Sequence, residues 1–278
     1  NDEIIIGGST TMNMYVLSNA MKSLLKPGDE VIVTNQDHEA NVGAWRRLAD
    51  QGMVVKEWQI NNDTAELEID DLKTLLSEKT KIVAVTHCSN IVGSINDLKS
   101  IAELVHQYDA YIVGDGVSYA PHGFPDVKSL DVDFYAFSLY KTYGPHLGLL
   151  YGKKEILNQL PNQNHEFLEG DVPYTLNPGG PNHEELSCLV GVYEYFMNLF
   201  EHHYPGENLS IREKIHKVNE LIAEHEKEIA NPLLDYLSNR SDIRLIGKET
   251  ITDKDRAPTI AFTMKNKSSK DLSSELVK

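Results

Sequence analysis

Cysteine is scarce: Cys88 and Cys188 are the only two in 278 residues. That excludes a disulfide framework and any multi-cysteine metal site, and it fits a reducing, cytosolic setting. No apolar run reaches the roughly 18 residues that a bilayer crossing needs, and no signal peptide stands at the start. A membrane partner is therefore not expected. Basic residues are also in short supply. Lys and Arg number 26 against 42 Asp and Glu, a net charge of −16 that repels nucleic acid and anionic lipid. An anionic ligand held in a local pocket stays compatible with that charge. There is no internal repeat, no low-complexity tract and no Walker loop. The 41% hydrophobic and 24% charged usage is that of a globular chain, which excludes disorder, collagen and coiled coil as whole-chain readings. The chain opens at Asn1 without an initiator Met and runs straight into Ile4-Ile5-Ile6. It stops at Leu276-Val277-Lys278 within a helical pattern. A piece of a longer protein is the expectation, with the N-terminal part of the first domain missing.

Short apolar runs alternate with helical patterns. Residues 4–6, 30–34, 53–60, 81–86, 110–113, 134–137 and 148–151 read as strands rich in Val, Ile and Tyr. Helices are expected from Thr10 to about Leu25, and over 40–50, 70–76 and 97–108. Such alternation of helices with nearly all-apolar strands predicts an α/β fold, a mainly parallel sheet covered by helices on both faces. Residues 159–182 are loop-like, and a helix is expected over 184–200. The stretch 201–208, with Pro205-Gly206, is the best boundary, dividing a large domain (1–204) from a smaller α+β one (205–278). In the latter, Ile215, Val218, Leu221, Ile222, Ile229, Leu233 and Leu237 recur at helical spacing. Residues 243–246 and 259–263 read as its strands.

Ligands of open parallel sheets bind beyond the carboxyl ends of the strands, so the polar residues there matter most. After Ile6 comes Gly7-Gly8-Ser9-Thr10-Thr11 leading into a helix, a seat for phosphate or a simple N-cap. Asp37-His38-Glu39 follows the next strand, and His38 reads as a capping residue or a functional one. His87-Cys88-Ser89-Asn90 follows a third, with Asn90 read as a turn residue or a ligand. Asp115 comes directly after an apolar strand, where a carboxylate is costly unless it meets a cation. Lys141 lies just past another, within Ser138-Leu139-Tyr140-Lys141, expected either to reach solvent or to be desolvated and reactive. A phosphate seat, a buried carboxylate and a buried lysine on one rim form a coherent set. A phosphorylated heteroaromatic aldehyde asks for those three partners, and pyridoxal 5′-phosphate is such a molecule.

The ordered series Gly28-Asp29-Glu30, Asp37-His38, Thr86-His87, Ser89-Asn90-Ile91-Val92-Gly93-Ser94, Tyr119-Ala120-Pro121-His122, Asp133-Phe134, Ser138-Leu139-Tyr140-Lys141 and Gly144-Pro145-His146-Leu147-Gly148 resembles the class V aminotransferases. These belong to the pyridoxal-phosphate fold-type I enzymes, and the nearest likeness is to the cysteine desulfurase-like branch. It spans Ile4 to about Gly191. The resemblance implies that Lys141 forms a Schiff base with the cofactor and then moves the α-proton of a small amino acid. It implies that Asp115 pairs with the ring nitrogen, that His38 stacks on the ring, and that Asn90 bonds its phenolic oxygen with Ser118 nearby. Thr10, Thr11 and Ser138 would hold the phosphate, and Tyr140 stands beside the lysine in the cofactor site. External aldimine and α-carbanion chemistry is common to the group, and a homodimer is expected, with residues 170–182 as the crossing loop.

Four departures qualify that resemblance. Ser118 stands where similar desulfurases carry Gln, and Tyr140 where they carry His. Gly180 takes the place of a Thr that reaches the neighbouring subunit. Cys88 and Cys188 are poor candidates for the sulfur-carrying nucleophile, since one follows a core strand and the other falls within a helical pattern. Transamination, elimination or epimerisation therefore stand beside desulfuration as outcomes. A sugar aminotransferase lacks support from any basic cluster. The reading from a different class is a truncated, catalytically silent homologue that dimerises or binds partners.

Overall fold

The computed structural model describes residues 2–252 and 255–277; the two ends Asn1 and Lys278 lie outside them. Seven strands form one sheet: β1 (Ile4–Gly7), β2 (Glu30–Thr34), β3 (Val54–Trp58), β4 (Thr80–Thr86), β5 (Tyr111–Asp115), β6 (Phe134–Ser138) and β7 (Gly148–Gly152). Their order across the sheet is β1-β7-β6-β5-β4-β2-β3. Neighbours from β6 through β3 are parallel, and β7 runs antiparallel to both β6 and β1. The expected mainly parallel sheet is thus present.

Alternation along the strands explains the two covered faces. Ile82 and Ala84 of β4 and Phe134 and Ala136 of β6 enter one core cluster; Val83, Val85, Tyr135 and Phe137 enter the other. Successive side chains of a strand point to opposite faces, so a strand buried on both sides must be apolar throughout. The first cluster is closed by α1 (Thr10–Met21) and α2 (Glu39–Arg46), through Met14, Leu17, Val42 and Trp45. The second is closed by α3 (Ile69–Leu75) and α4 (Leu98–His106), through Leu72, Ile101 and Val105. Ser18 on α1 donates to Ala44 O on α2 at 2.8 Å, a buried bond between the helices of one face.

A short helix α5 (Val127–Leu130) precedes β6, and beyond β7 the chain passes through α6 (Lys154–Leu157), α7 (His183–Ser187) and α8 (Leu189–His203). The sequence reading of a single helix over 184–200 is corrected at Cys188. There the amides of Cys188 and Gly191 bond to carbonyls three residues back, tightening the turn and dividing the helix. The long expected helix is α9 (Ile211–Ser238), capped by Ser210. It packs against β8 (Ile243–Ile246), which pairs antiparallel with β9 (Ala261–Met264); α10 (Ser269–Leu276) follows. The expected strand 259–263 begins later than read, because Pro258 has no N–H and Thr259 O is taken by the Arg256 guanidinium at 3.0 Å. Strand 53–60 is shorter than read. The amide of Met53 bonds back to Leu48, and that of Ile60 goes to the Asn35 side chain.

Candidate active site

Every parallel strand delivers its carboxyl end to the same rim, and a cleft of about 430 Å³ opens there. The nine side chains singled out from sequence, Thr10, Thr11, His38, Asn90, Asp115, Ser118, Ser138, Tyr140 and Lys141, all line it. They come from separate connections between strands and helices, which only the folded sheet brings together.

The first connection is the turn between β1 and α1. Ser9 caps α1, its hydroxyl accepting the Met12 N–H at 3.1 Å and its carbonyl the Asn13 N–H at 3.0 Å. The amides of Thr10 and Thr11 are then the ones the helix start leaves to a ligand. Thr10 Oγ1 lies 2.8 Å from Ser138 Oγ, both buried, which joins this turn to the end of β6. The turn also lies against Gly148, where a Cβ would sit 2.3 Å from Ser9 C and Thr10 N. Only glycine admits that approach.

His38 is the N-cap of α2, and its Nδ1 accepts the Ala40 N–H at 3.0 Å. The capping reading and the cleft-lining position are therefore both met by one residue. With Nδ1 accepting, a neutral ring carries its proton on Nε2, and the cap fixes the ring's orientation. Asn90 sits on a tight turn in which Ser89 Oγ accepts the amides of Ile91 and Val92, and Gly93 takes φ +80°.

Asp115 ends β5, 3% exposed, and its Oδ1 accepts the Val117 N–H at 2.8 Å. Burial pushes its carboxyl up to about 6, against the opposing pull of that amide, His38 and Lys141. Behind it, Gly116 lies so close to Tyr135 that a Cβ would meet the phenol oxygen at 2.1 Å. That phenol is 2.7 Å from His87 Nδ1, and the His87 ring stacks on Tyr119 at 3.6 Å. Burial lowers His87 to about 3, so it stays a neutral part of the floor.

Lys141 differs from the buried lysine of the sequence reading. It is exposed at the cleft, on the 3₁₀ turn Leu139–Lys141 one step past β6, where the chain has already left the sheet. Tyr140, 45% exposed, stacks on His146 at 4.7 Å. Neither cysteine lines the cleft. Cys88 is buried with its thiol pushed up to about 12, whereas Cys188 is exposed at the α7–α8 junction.

Sequence reasoning gave no role to three lining residues, Ala40, Thr86 and Val117. It also gave none to Asp37, whose carboxylate accepts the His38 N–H at 2.9 Å and Asn41 Nδ2 at 2.7 Å. An acidic residue directly before the helix-capping His was the available signal.

The sheet order, its single reversed strand and the polar rim define a class: the fold type I architecture of pyridoxal-phosphate-dependent transferases. The chain belongs to the aminotransferase class-V family, whose model matches residues 1–196, and lies in its cysteine desulfurase-like branch. It is 41% identical over 276 residues to the aminotransferase-like protein FGM3 of Gibberella zeae, covering 98% of this chain and 64% of that protein. It is 31% identical to the cysteine desulfurase-like protein ustD of Aspergillus flavus, covering 98% of this chain and 60% of the relative. The structure of the cysteine desulfurase CsdA from Escherichia coli superposes with a TM-score of 0.79 at 26% identity, over 99% of this chain and 66% of that one. The chain therefore spans less than two thirds of the length of each of these three proteins.

Proposed function

We propose that this chain carries the cofactor half of a pyridoxal-phosphate-dependent enzyme acting on a small amino acid, in the manner of the cysteine desulfurase-like proteins it resembles. The observation that carries the reading is the presence of Lys141, Asp115 and the Thr10–Ser138 hydroxyl pair on one cleft. The donor set suits the molecule: an amine for its aldehyde, a buried carboxylate for its ring nitrogen, and hydroxyls with a helix N-terminus for its phosphate. When bound, the cofactor supplies an electron sink for the pair released at the substrate's α-carbon.

This chain's residues do the rest. Thr10, Thr11 and Ser138 bind and orient the phosphate end. His38, held by its cap, covers one face of the ring. Asn90, with Ser118 nearby, bonds the phenolic oxygen. Asp115 holds a proton on the ring nitrogen. Tyr140 flanks Lys141, whose amine takes and returns the α-proton. Because neither cysteine lines the cleft, the proposal is confined to chemistry at the α-carbon, and desulfuration, transamination, elimination and epimerisation share that step. Exposed Met12, Ile91, Tyr143 and Tyr174 support a second copy of the chain as partner, with residues 170–182 as the crossing loop. We place the boundary between the two domains at 204–205.

The test is covalent. Incubation with pyridoxal phosphate followed by borohydride reduction is expected to add one cofactor mass, located on the peptide that contains Lys141. The Lys141→Ala protein is expected to lose both the adduct and the visible absorption band. An adduct that persists in Lys141→Ala overturns the reading.

A further inference from the structure

Arg256 is a buried cation, 3% exposed, on the connection between β8 and β9, and it does not line the cleft. Its guanidinium is spent on its own segment. Nη1 donates to Lys248 O and Nη2 to Thr259 O at 3.0 Å, so one planar fork holds the two ends of the connection together. Residues 255–259 form a short strap that meets the large sheet's loops through its backbone. The Ala257 N–H donates to Gly93 O at 2.8 Å, and Asp255 O accepts the Ile95 N–H at 3.2 Å. Between these bonds Arg256 pairs with Ser94 as an antiparallel bridge.

The segment under the strap is the turn that carries Asn90. That turn is closed on itself. The Ser89 N–H donates to Ser94 O at 2.9 Å, the Gly93 N–H to Ser89 O at 3.0 Å, and Ser89 Oγ accepts the amides of Ile91 and Val92. A turn so bonded moves as one piece, and whatever fixes residues 93–95 also fixes Asn90 at the cleft wall. The contact is close. A Cβ on Gly93 would stand 2.6 Å from Thr259 O and 2.8 Å from Ala257 O. Thr259 O is also one of the two carbonyls that Arg256 holds, so the fork bears directly on the atom packed against the turn. Without the fork, Lys248 O and Thr259 O lose a buried donor, which costs more than the bond itself contributes.

We propose that Arg256 is a positioning residue: it holds residues 255–259 as a strap against the turn 89–95 and thereby sets where Asn90 meets the phenolic oxygen of the bound cofactor. This rests on the cofactor reading given above. An amide donor drains charge from that oxygen and weakens its hold on the proton it shares with the Lys141 nitrogen. Losing the donor therefore raises the pH at which that proton leaves. A guanidinium that only joined the ends of the β8–β9 connection would have no such effect.

Arg256→Met keeps the apolar stem and removes the fork. In the cofactor-free chain, hydrogen exchange at the Ser89, Gly93 and Ile95 amides is expected to quicken about tenfold, with the amides of β4 and β5 unchanged. In the chain loaded with pyridoxal phosphate, the pH midpoint of the visible band is expected to rise by about one unit, in the same direction as in Asn90→Ala. Adding Arg256→Met to Asn90→Ala is expected to move the midpoint no further, because both changes remove the same bond. Arg256→Lys keeps the charge but reaches only one carbonyl, so it is expected to fall between the wild type and Arg256→Met in both readings. Ser18→Ala breaks a buried bond between α1 and α2 and controls for lost stability, with neither reading expected to change. Unchanged exchange at Ser89 and Gly93 in folded Arg256→Met, or in Arg256→Lys where Arg256→Met does not fold, overturns the proposal. A midpoint shift that Arg256→Met adds in full on top of Asn90→Ala also overturns it, since the route to the cofactor would then bypass Asn90. Failure of the cofactor reading looks different: the wild type takes up no cofactor, or takes it up equally well as Lys141→Ala. The Asn90 step falls with that reading, and exchange at the turn still decides whether Arg256 sets the turn.

Discussion

A carboxyl group that ends an apolar strand pays for its position in desolvation, and the cofactor-free protein bears that cost. Asp115 has its pKa raised in the folded state, so the folded chain binds a proton that the unfolded chain has already released. Its contribution therefore lowers stability as pH rises from the ordinary value of 3.8 to about 6, and the loss is complete above that. Asp115→Asn is expected to raise the urea midpoint of the cofactor-free chain at neutral pH, by roughly 1–3 kcal/mol in stability, while weakening cofactor uptake. The gain is expected to vanish near about pH 4, where the wild-type side chain is itself neutral. A gain that persists at that pH would mean that packing, not charge, sets the effect. At this scale the sequence was legible where position alone carries meaning. Asp115 and Lys141 could be picked out because each follows an apolar strand. Which of the two readings of Lys141 holds was hidden, since it depends on how sharply the chain leaves β6.

Elements followed the apolar pattern wherever both faces of a strand are packed. All seven strands of the main sheet lie where Val, Ile and Tyr cluster, and their boundaries slipped by two residues or fewer, with a side chain or proline competing for a ladder bond at Ile60 and Pro258. The antiparallel placement of β7 was not read from the sequence, although only nine residues separate it from β6, too few for the crossover a parallel strand needs. Gly148→Ala puts a methyl group 2.3 Å from backbone atoms that cannot rotate away. The expected result is a loss of about 1–3 kcal/mol in urea unfolding, with cofactor affinity falling further than the loss of stability alone explains. Affinity unchanged in a destabilised protein would separate the turn's structural role from its phosphate-binding one. Ser18→Ala, which removes the bond between α1 and α2 on the same face, is expected to cost about 1 kcal/mol and to leave affinity alone.

The whole molecule separates two kinds of charge. The carboxyl rim of the sheet holds groups whose pKa values are displaced by burial, whereas the opposite edge holds a satisfied cluster. Asp133, just before β6, accepts the Ile112 N–H at 2.9 Å and meets His106 Nε2 at 3.0 Å and Lys153 Nζ at 2.9 Å. These contacts hold Asp133 below the usual carboxylate range in spite of its burial, and they raise His106 and Lys153 above theirs. The signs differ by partner. The Asp133 contribution is present above 3.8 and is lost as pH falls through its lowered value. That of His106 is full below 6.5 and is lost as pH rises through its raised value. His106→Gln is therefore expected to destabilise more at about pH 5.5 than at about pH 8.5, by roughly 1 kcal/mol at the lower value. Asp133→Asn removes one of the two carboxylates that hold the half-buried Lys153, and roughly 1–3 kcal/mol is expected at both values. Urea midpoints at the two pH values check both, and a His106→Gln effect that grows with pH would reverse the assignment. Because the cluster ties α4, β5, β6 and the exit of β7 at the edge away from the cleft, these variants should unfold more easily yet keep wild-type cofactor affinity while folded. The sheet can then tolerate a desolvated carboxyl group, Asp115, at one end because the ion pairs that brace it stand at the other.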